Sequence, residues 1–243
     1  MQISVLQWNI WYKEDIRDIA NFLLANPADI VCLQELTIQD MPEIGHTPDY
    51  IAKRLGYQHF YKEIDLGEGK INIANGIFSR YPIIDTNWQW INEPTGTGHY
   101  DDEHRAYVEV TIEVQGKKLT VATTHMSYTN AFESTPRKEQ EADRLSAILE
   151  KKQQNFVFTG DLNSAPDSST IGKISSILDN AGPIFTKNTW TTKPFSYDGF
   201  KENELNWRLD YIFISNDIKS VSAEIIKTNY SDHLPVISRL ELV

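Results

Sequence analysis

The feature that most constrains this chain is a series of short apolar segments, each ending or beginning at a polar residue with catalytic chemistry. One such segment, Asn155 to Phe158, leads into Gly160-Asp161-Leu162-Asn163, and another, Asp29 to Leu33, leads into Gln34-Glu35. Short runs rich in β-branched and aromatic residues are typical of half-buried or buried strands. The polar residues at these strand ends are Asn9, Glu35, His125, Asp161, Asn163, Asp210, Asp232 and His233. The pattern therefore predicts a β-rich core with these side chains gathered at one edge.

Asp161 and Asn163 have a spacing that suits phosphate chemistry. Residues two apart in an extended chain point to the same face, so one side chain can act on a water while the other binds a phosphate oxygen. Asp and Asn are also ordinary turn formers at strand ends, which is the structural alternative for this pair. The co-occurrence with Asp232-His233 favours the functional interpretation.

Taken in order, the segments resemble the endonuclease/exonuclease/phosphatase superfamily of divalent-metal phosphohydrolases, which includes DNase I. The resemblance is carried by Trp8-Asn9, Leu33-Gln34-Glu35, Thr124-His125, Gly160-Asp161-Leu162-Asn163, Leu209-Asp210-Tyr211 and Ser231-Asp232-His233. Several short motifs in the family's order are more specific than any one of them. The resemblance implies an α/β fold, a four-layer α/β/β/α sandwich with two face-to-face mixed sheets.

The resemblance also implies roles for the catalytic candidates. Asp161 and Asn163 match the pair that orients the attacking water and contacts the phosphate, and His233, held by Asp210, matches the imidazole that activates water or binds phosphate. His125 stands where the abasic-site endonucleases have a tyrosine and where DNase I has a histidine. A second imidazole there can protonate the leaving oxygen or stabilise its developing charge. A structural histidine is the alternative.

Three residues are expected to serve a metal. Glu35 ends an apolar strand without nearby basic residues, and a buried carboxylate of this kind needs a compensating cation unless it stays at the rim. Asn9 is expected either to offer a neutral oxygen ligand or to hydrogen-bond Glu35, and Asp232 is suited to the metal. Oxygen ligands favour Mg²⁺, with Mn²⁺ as the alternative, over Zn²⁺.

The substrate-binding candidates are Asn75, Arg80 and Arg105. For both arginines, phosphate binding and a structural ion pair are open alternatives, and Asn75 is a possible neighbour of His125. The irregular segments Asp65 to Lys70, Asn92 to His104 and Phe185 to Asn206 are expected to form the cleft walls, because loops on a rigid scaffold usually carry specificity. Tryptophans in or beside such segments could stack on a planar group or simply pack under the loops: Trp88, Trp90, Trp190 and Trp207.

The pattern of apolar spacing predicts two long helices and several strands. One helix covers Asp15 to Ala25 and ends before Pro27, and another begins near Ser134-Thr135-Pro136. Strands are expected at Ile71 to Ser79, Tyr81 to Trp90, Arg105 to Val114, Lys117 to Thr124, Leu209 to Ser215, Ser220 to Lys227 and Pro235 to Leu242.

We expect one domain spanning residues 1–243, because no low-complexity linker divides the 243 residues and both halves supply site residues. The net charge of −11 argues against a broad electrostatic surface for nucleic acid. The single cysteine, Cys32, suits a reducing compartment. Met1 leads directly into a strand, so we expect a cytoplasmic monomer without a membrane anchor, the alternative being a protein whose signal peptide has been removed.

The sequence thus predicts a Mg²⁺-dependent enzyme that hydrolyses phosphodiester bonds by in-line attack of water. Its substrate is expected to be a phosphate ester, with nucleic acid or a nucleotide among the candidates. The alternatives within the family are a phosphomonoesterase and a sphingomyelinase-like phospholipid hydrolase. From another class, the alternative is a catalytically silent module that binds a phosphorylated ligand, although the presence of Glu35, Asp161 and His233 argues against it.

Overall fold

In the first sheet, the segments Gln2–Asn9 and Ile30–Thr37 form adjacent parallel strands, and the amphipathic helix Ile16–Ala25 joins them. The computed structural model describes residues 1–39, 42–65, 71–93, 103–152 and 154–242. In chain order the elements are β1 (Gln2–Asn9), α1 (Ile16–Ala25), β2 (Ile30–Thr37), α2 (Thr47–Leu55), β3 (Gln58–Ile64), β4 (Ile73–Ser79), β5 (Ile83–Asn92), β6 (Arg105–Val114), β7 (Lys117–His125), a 3-10 turn (Asn130–Phe132), α3 (Pro136–Leu149), β8 (Phe156–Asp161), α4 (Ser169–Ser175), β9 (Asp179–Asn180), β10 (Phe195–Tyr197), β11 (Phe200–Glu202), β12 (Asp210–Ile214), β13 (Ile218–Ile225) and β14 (Val236–Leu242).

Two mixed sheets face each other and helices cover their outer sides. One sheet has the order β13-β14-β1-β2-β4-β3, the other has the order β5-β6-β7-β8-β12-β9, and β10 and β11 form a separate hairpin. Between the sheets, Val5 and Cys32 belong to the same buried apolar cluster as Val121 and Ile212. Separate buried clusters join α1 and α2 to the first sheet and α3 and α4 to the second. The expected four-layer α/β/β/α sandwich is confirmed.

Local capping explains where the two longest helices begin. The Asp15 side chain accepts a hydrogen bond from the Arg17 amide and caps α1, so the helix starts one residue later than the predicted segment. Thr135 caps α3 by accepting from the Lys138 amide, and Pro136 occupies the first turn, as expected. The strands predicted from Ile71 onward are present, with ends that differ by at most two residues.

Strand direction brings the polar chain segments to one edge. The pairs β1–β2 and β7–β8 are parallel, so their carboxyl ends lie side by side. The antiparallel strands β12 and β14 begin at this same edge, because Asp210 pairs with Asp161 and Val236 pairs with Gln7. We call it the polar edge. Within the described ranges, no helix has the length and apolar composition needed to cross a membrane.

Candidate active site

The carboxamide of Asn9 joins the two sheets at the polar edge. Its Nδ2 donates to Glu35 Oε1 at 2.9 Å and to Asp161 Oδ2 at 2.9 Å, while its Oδ1 accepts from the Trp11 amide at 3.0 Å. Asn9 therefore takes the second arrangement expected for it, hydrogen-bonding to Glu35, and its oxygen is engaged by the backbone.

Glu35 reaches the site through a β-bulge. Its φ is 61°, and the register between β2 and β4 shifts between Leu33 and Leu36. The bulge re-aims the side chain toward the polar edge, although the strand itself continues to Thr37. Burial, followed by the neighbouring Asp232 carboxylate, raises the pKa of Glu35 above its usual value.

Asp232 is held by a tryptophan from the segment that was expected to form a wall. Trp190 is buried, and its Nε1 donates to Asp232 Oδ2 at 3.0 Å. The indole N–H of Trp190 is a single donor on a buried ring, so it fixes the Asp232 carboxylate beside Glu35. Trp190 thus combines packing with a positioning contact that the sequence pattern did not indicate.

His233 lies between two aspartates. Its Nδ1 is 2.9 Å from Asp210 Oδ2, and its Nε2 is 3.5 Å from Asp161 Oδ2. Burial alone would lower the pKa of His233, but the carboxylates of Asp210, Asp161 and Asp232 outweigh it and raise this pKa well above its usual value. The expected pairing of His233 with Asp210 is present, and the ring favours the imidazolium form.

Asn163 and His125 form the other side of the site. The Asn163 amide donates to Asp161 Oδ1 at 3.0 Å, and its side-chain Nδ2 lies 2.9 Å from the Met126 carbonyl and 3.1 Å from His125 Nε2. His125 Nε2 is also 3.5 Å from Asp161 Oδ2. Burial, then the nearby charge of Arg105, lowers the pKa of His125 well below its usual value. The ring is therefore neutral, which does not suit the expected role of protonating the leaving group at neutral pH.

The neighbouring carboxylates of Glu35 and Asp232 fit a hard divalent cation. The pKa of Glu35 rises mainly because the carboxylate is buried and further because the Asp232 carboxylate lies close to it. A different set, Asp161, Asp210 and His233, has its ligand atoms within 4.8 Å of one another, and these atoms already contact each other. Glu35 and Asp232 are the residues that could hold a cation, and their oxygen donors suit Mg²⁺ or Mn²⁺.

Lys138 belongs to the site although the sequence analysis did not single it out. Its ammonium is buried and donates to the Asn163 carbonyl and, at 3.4 Å, to Thr129 Oγ1. Asn163 has a φ of 45°, and Lys138 fixes its peptide carbonyl in this left-handed conformation. Burial lowers the pKa of Lys138 to about 8. A sequence signal existed, because Lys138 lies one helical turn before Ala142 on the apolar stripe of α3.

Arg105 is at the site, whereas Asn75 lies beneath it. Arg105 is buried at the start of β6, lines the cleft and places Nη2 2.8 Å from Glu103 Oε2. It therefore makes the ion pair at a position that lines the cleft, and phosphate binding by Arg105 stays a prediction. Asn75 is fully buried and donates to the Ala106 carbonyl at 3.2 Å between the sheets, so it does not line the cleft.

The expectation that Arg80 binds substrate is wrong, because the structure places it at the opposite end of β4. Its Nη1 lies 3.0 Å from Asp29 Oδ1 and its Nη2 lies 3.1 Å from the Tyr57 hydroxyl. The physical reason is the antiparallel direction of β4, whose first residues approach the polar edge and whose last residues leave it. Arg80 takes the structural ion-pair alternative.

A cleft of about 770 Å³ opens above the polar edge. The segment from Phe185 to Asn206 supplies part of its wall, including Trp190 and the run from Lys193 to Tyr197. From the other two expected walls, Glu103 lines the cleft, whereas 66–70 and 94–102 lie outside the described residues.

The other tryptophans of the expected stacking set are engaged elsewhere. Trp88 and Trp90 lie on the edge strand β5, and the Lys62 ammonium of β3 lies 4.0 Å and 5.0 Å from their ring centroids. Trp207 packs on Phe132, with the ring centroids 4.7 Å apart. These rings take the packing alternative.

Comparison with known proteins matches a family across nearly the whole chain. A model of the endonuclease/exonuclease/phosphatase family matches residues 6–233. An exodeoxyribonuclease of Bacillus subtilis (strain 168) is 24% identical over 267 residues, which cover 96% of this chain and 98% of that protein.

Solved structures share the fold at low sequence identity. An endonuclease/exonuclease/phosphatase from Beutenbergia cavernae DSM 12333 aligns over 99% of this chain and 72% of its own, with a TM-score of 0.78 and 22% identity. The mannosyl-6-phosphatase Bt3783 of Bacteroides thetaiotaomicron VPI-5482 aligns over 99% of this chain and all of its own (TM-score 0.73, 15% identity). D. rerio TDP2 complexed with single-strand DNA product aligns over 99% of both chains (TM-score 0.70, 17% identity).

Proposed function

Because the chain belongs to the endonuclease/exonuclease/phosphatase family, whose members hydrolyse phosphate esters, we propose that it is a Mg²⁺-dependent phosphodiesterase. The observation that carries the proposal is the placement of Asp161. Its Oδ2 accepts from Asn9 and lies 3.5 Å from an imidazole nitrogen of both His125 and His233, while its Oδ1 accepts from the Asn163 amide. Because these contacts hold both oxygens of the Asp161 carboxylate, the side chain is preorganised to orient an attacking water.

Asp161 orients the attacking water and accepts its proton as the new phosphorus–oxygen bond forms. Burial raises the pKa of Asp161 to about 7, with His233 opposing that rise. A general base whose pKa lies near the working pH combines a useful deprotonated fraction with a useful driving force.

His233 donates to a non-bridging phosphate oxygen. Its Nε2 lies only 3.5 Å from Asp161 Oδ2, so it shares the side from which the water attacks. In an in-line displacement the leaving oxygen departs on the opposite side, beyond the reach of this imidazolium. Asp210 keeps the ring cationic and oriented, so that its positive charge faces the charge that develops on the phosphate.

Arg105 binds the phosphate from the other side, where Asn163 Nδ2 already donates to the Met126 carbonyl and to His125 Nε2. His125 is neutral and its Nε2 faces Asn163 Nδ2, so it orients the carboxamide. Arg105 adds a cation at the cleft wall next to this group. Glu35 and Asp232 would hold Mg²⁺, which when bound supplies Lewis-acid stabilisation of the charge that develops on the phosphate and the leaving oxygen.

The test is hydrolysis of bis-p-nitrophenyl phosphate with Mg²⁺, Mn²⁺ or EDTA by the wild type, by Asp161→Asn and by Asp167→Asn. Asp167 is an exposed carboxylate six residues further along, so it controls for the loss of one acidic group. We expect turnover that requires the metal, that falls by at least about 100-fold in Asp161→Asn and that persists in Asp167→Asn.

A panel of phosphomonoesters run in parallel separates the alternatives. Turnover of monoesters with no turnover of diesters would make the protein a phosphomonoesterase. A well-folded wild type that turns over neither class, but binds either, would replace the enzyme by a phosphate-binding module.

A further inference from the structure

A continuous series of aromatic rings leads from the catalytic imidazole to the protein surface. The ring centroid of His233 lies 6.3 Å from that of Trp190, which lies 5.1 Å from that of Phe195. The Tyr128 ring follows at 5.7 Å from Phe195, and the Tyr197 ring at 6.3 Å from Tyr128. All five residues line the cleft. We call the rings of Trp190, Phe195, Tyr128 and Tyr197 the aromatic wall.

The outer end of the aromatic wall is presented by a tight hairpin. Phe195 and Tyr197 are two apart on β10 and therefore share one face, and β11 pairs with them. The connecting residues, Asp198 and Gly199, have φ angles of 45° and 80°, which suit a two-residue hairpin turn. Tyr197 remains 46% exposed even though its neighbours pack against one another. The hairpin thus holds an aromatic face open at the mouth of the cleft.

Two lysines lie in the same cleft, close to the Trp11 ring, which is not part of the aromatic wall. The Lys13 and Lys193 ammonium groups lie 5.1 Å and 5.0 Å from the Trp11 ring centroid, and Lys193 also pairs with Glu14. Lys13 makes no ion pair with the part of the chain that the structure describes. An exposed cation–π contact is weaker than a charge-assisted hydrogen bond to phosphate, so an arriving phosphate draws the ammonium from the ring.

We propose that this part of the cleft is a nucleotide subsite and that the substrate is a single-stranded oligonucleotide. A base of the bound strand stacks at the outer end of the aromatic wall, against Tyr128 and Tyr197. A phosphate of the same strand contacts Lys13, beside the Lys193–Glu14 ion pair. In a duplex the base faces are covered by neighbouring base pairs, whereas an unpaired strand offers them to an aromatic surface. The local lysines oppose the net charge of −11 only at the cleft, where the strand enters. This inference rests on the proposed phosphodiesterase activity.

The experiment compares tetrathymidylate with a tetramer that has the same phosphodiester backbone but tetrahydrofuran in place of every nucleoside. The ratio of kcat/KM for the two substrates measures the contribution of the bases alone. For the wild type we expect a ratio of about fivefold or more in favour of the bases. Tyr197→Ala should bring the ratio close to one, and Tyr197→Phe, which keeps the ring, should restore it.

Lys13→Ala should lower kcat/KM for both tetramers equally and reduce the dependence on salt, because it removes a phosphate contact and no base contact. Tyr230→Ala and Lys219→Ala serve as matched controls: Tyr230 is 39% exposed, Lys219 is exposed on β13, and neither lines the cleft. A wild-type ratio near one, or a ratio that Tyr197→Ala leaves unchanged, would overturn the subsite.

Methyl p-nitrophenyl phosphate, a diester without a base, separates the two proposals. Wild-type turnover of this ester together with a base ratio near one would defeat the subsite and keep the phosphodiesterase. The absence of metal-dependent turnover of every diester would defeat the phosphodiesterase itself.

Discussion

Asn9 Nδ2, at the end of the first strand of one sheet, donates to Asp161 Oδ2 of the other sheet at 2.9 Å. The same nitrogen donates to Glu35 Oε1, so one carboxamide couples the acid assigned to the metal with the acid assigned to the water. The packing of the two sheets against each other therefore fixes the position of Glu35 relative to Asp161.

Removing that link should impair catalysis more than folding. We expect Asn9→Ala to lower kcat by about 10- to 100-fold, the usual cost of losing a group that orients a metal ligand or catalytic acid. Steady-state kinetics with bis-p-nitrophenyl phosphate gives the effect, and circular dichroism reports the fold. Asn87→Ala, at an exposed position on β5, is the control. Equal kcat for the two variants would show that the Asn9 link has no catalytic role.

The indole N–H of Trp190 should matter for metal affinity. Trp190→Phe keeps an aromatic ring but removes the donor to Asp232, so we expect the Kd for Mg²⁺ to rise by about 10- to 100-fold, measured by titration calorimetry. Trp207→Phe is a close control, because Trp207 Nε1 makes a hydrogen bond of 2.9 Å to Glu202 Oε2, outside the metal site. Equal Mg²⁺ affinities in both variants would remove the positioning role of Trp190.

Asp210 should set the protonation of His233. Asp210→Asn removes the charge that most strongly raises the pKa of His233, and this pKa should therefore fall. Since the protonated ring is the active form, the alkaline decline of kcat/KM should move to lower pH. We also expect kcat at neutral pH to fall by about 100-fold or more. A pH–rate profile with an unchanged alkaline limb would contradict the assignment of His233 as the cationic donor.

The sequence was sufficient for the fold because its strands are strongly patterned. The strand ending at Asp161 is a buried β-branched and aromatic run, so its position and its terminal carboxylate are both readable from periodicity. By contrast, α2 and β3 were not predicted: His46, which precedes α2, makes no side-chain capping hydrogen bond, and β3 is largely half-exposed. Their patterns are correspondingly weak.

The site was only partly predictable because tertiary contacts decide which polar group goes where. The strand pattern identified Asp161 and His233, but it did not indicate the bulge that aims Glu35. The position of Arg80 depends on strand direction, which the apolar pattern alone does not reveal. The sequence left Trp190 open between stacking and packing, and only its hydrogen bond shows what it positions.

Lys138 should give the protein an unusual dependence of stability on pH. Its pKa is lowered from 10.5 to about 8 in the folded state because burial penalises the charged form. Between these two pH values the unfolded chain keeps the proton that the folded protein has lost. More protons bound to the unfolded state means that the free energy of unfolding rises with pH, by up to about 1.4 kcal/mol per pH unit from this group.

Urea denaturation of wild type and Lys138→Met at several pH values between 8 and 10.5 isolates this contribution, because the other titrating groups are common to both proteins. We expect the difference in unfolding free energy, wild type minus variant, to increase with pH. Lys173→Met is the control, since Lys173 lies at the surface with its pKa raised by Asp143 and Glu139. Its difference from wild type should not increase over the same range. A flat difference for Lys138→Met would mean that the buried ammonium keeps its ordinary pKa, and Lys138 would then remain charged beneath Asn163 throughout the working range of the enzyme.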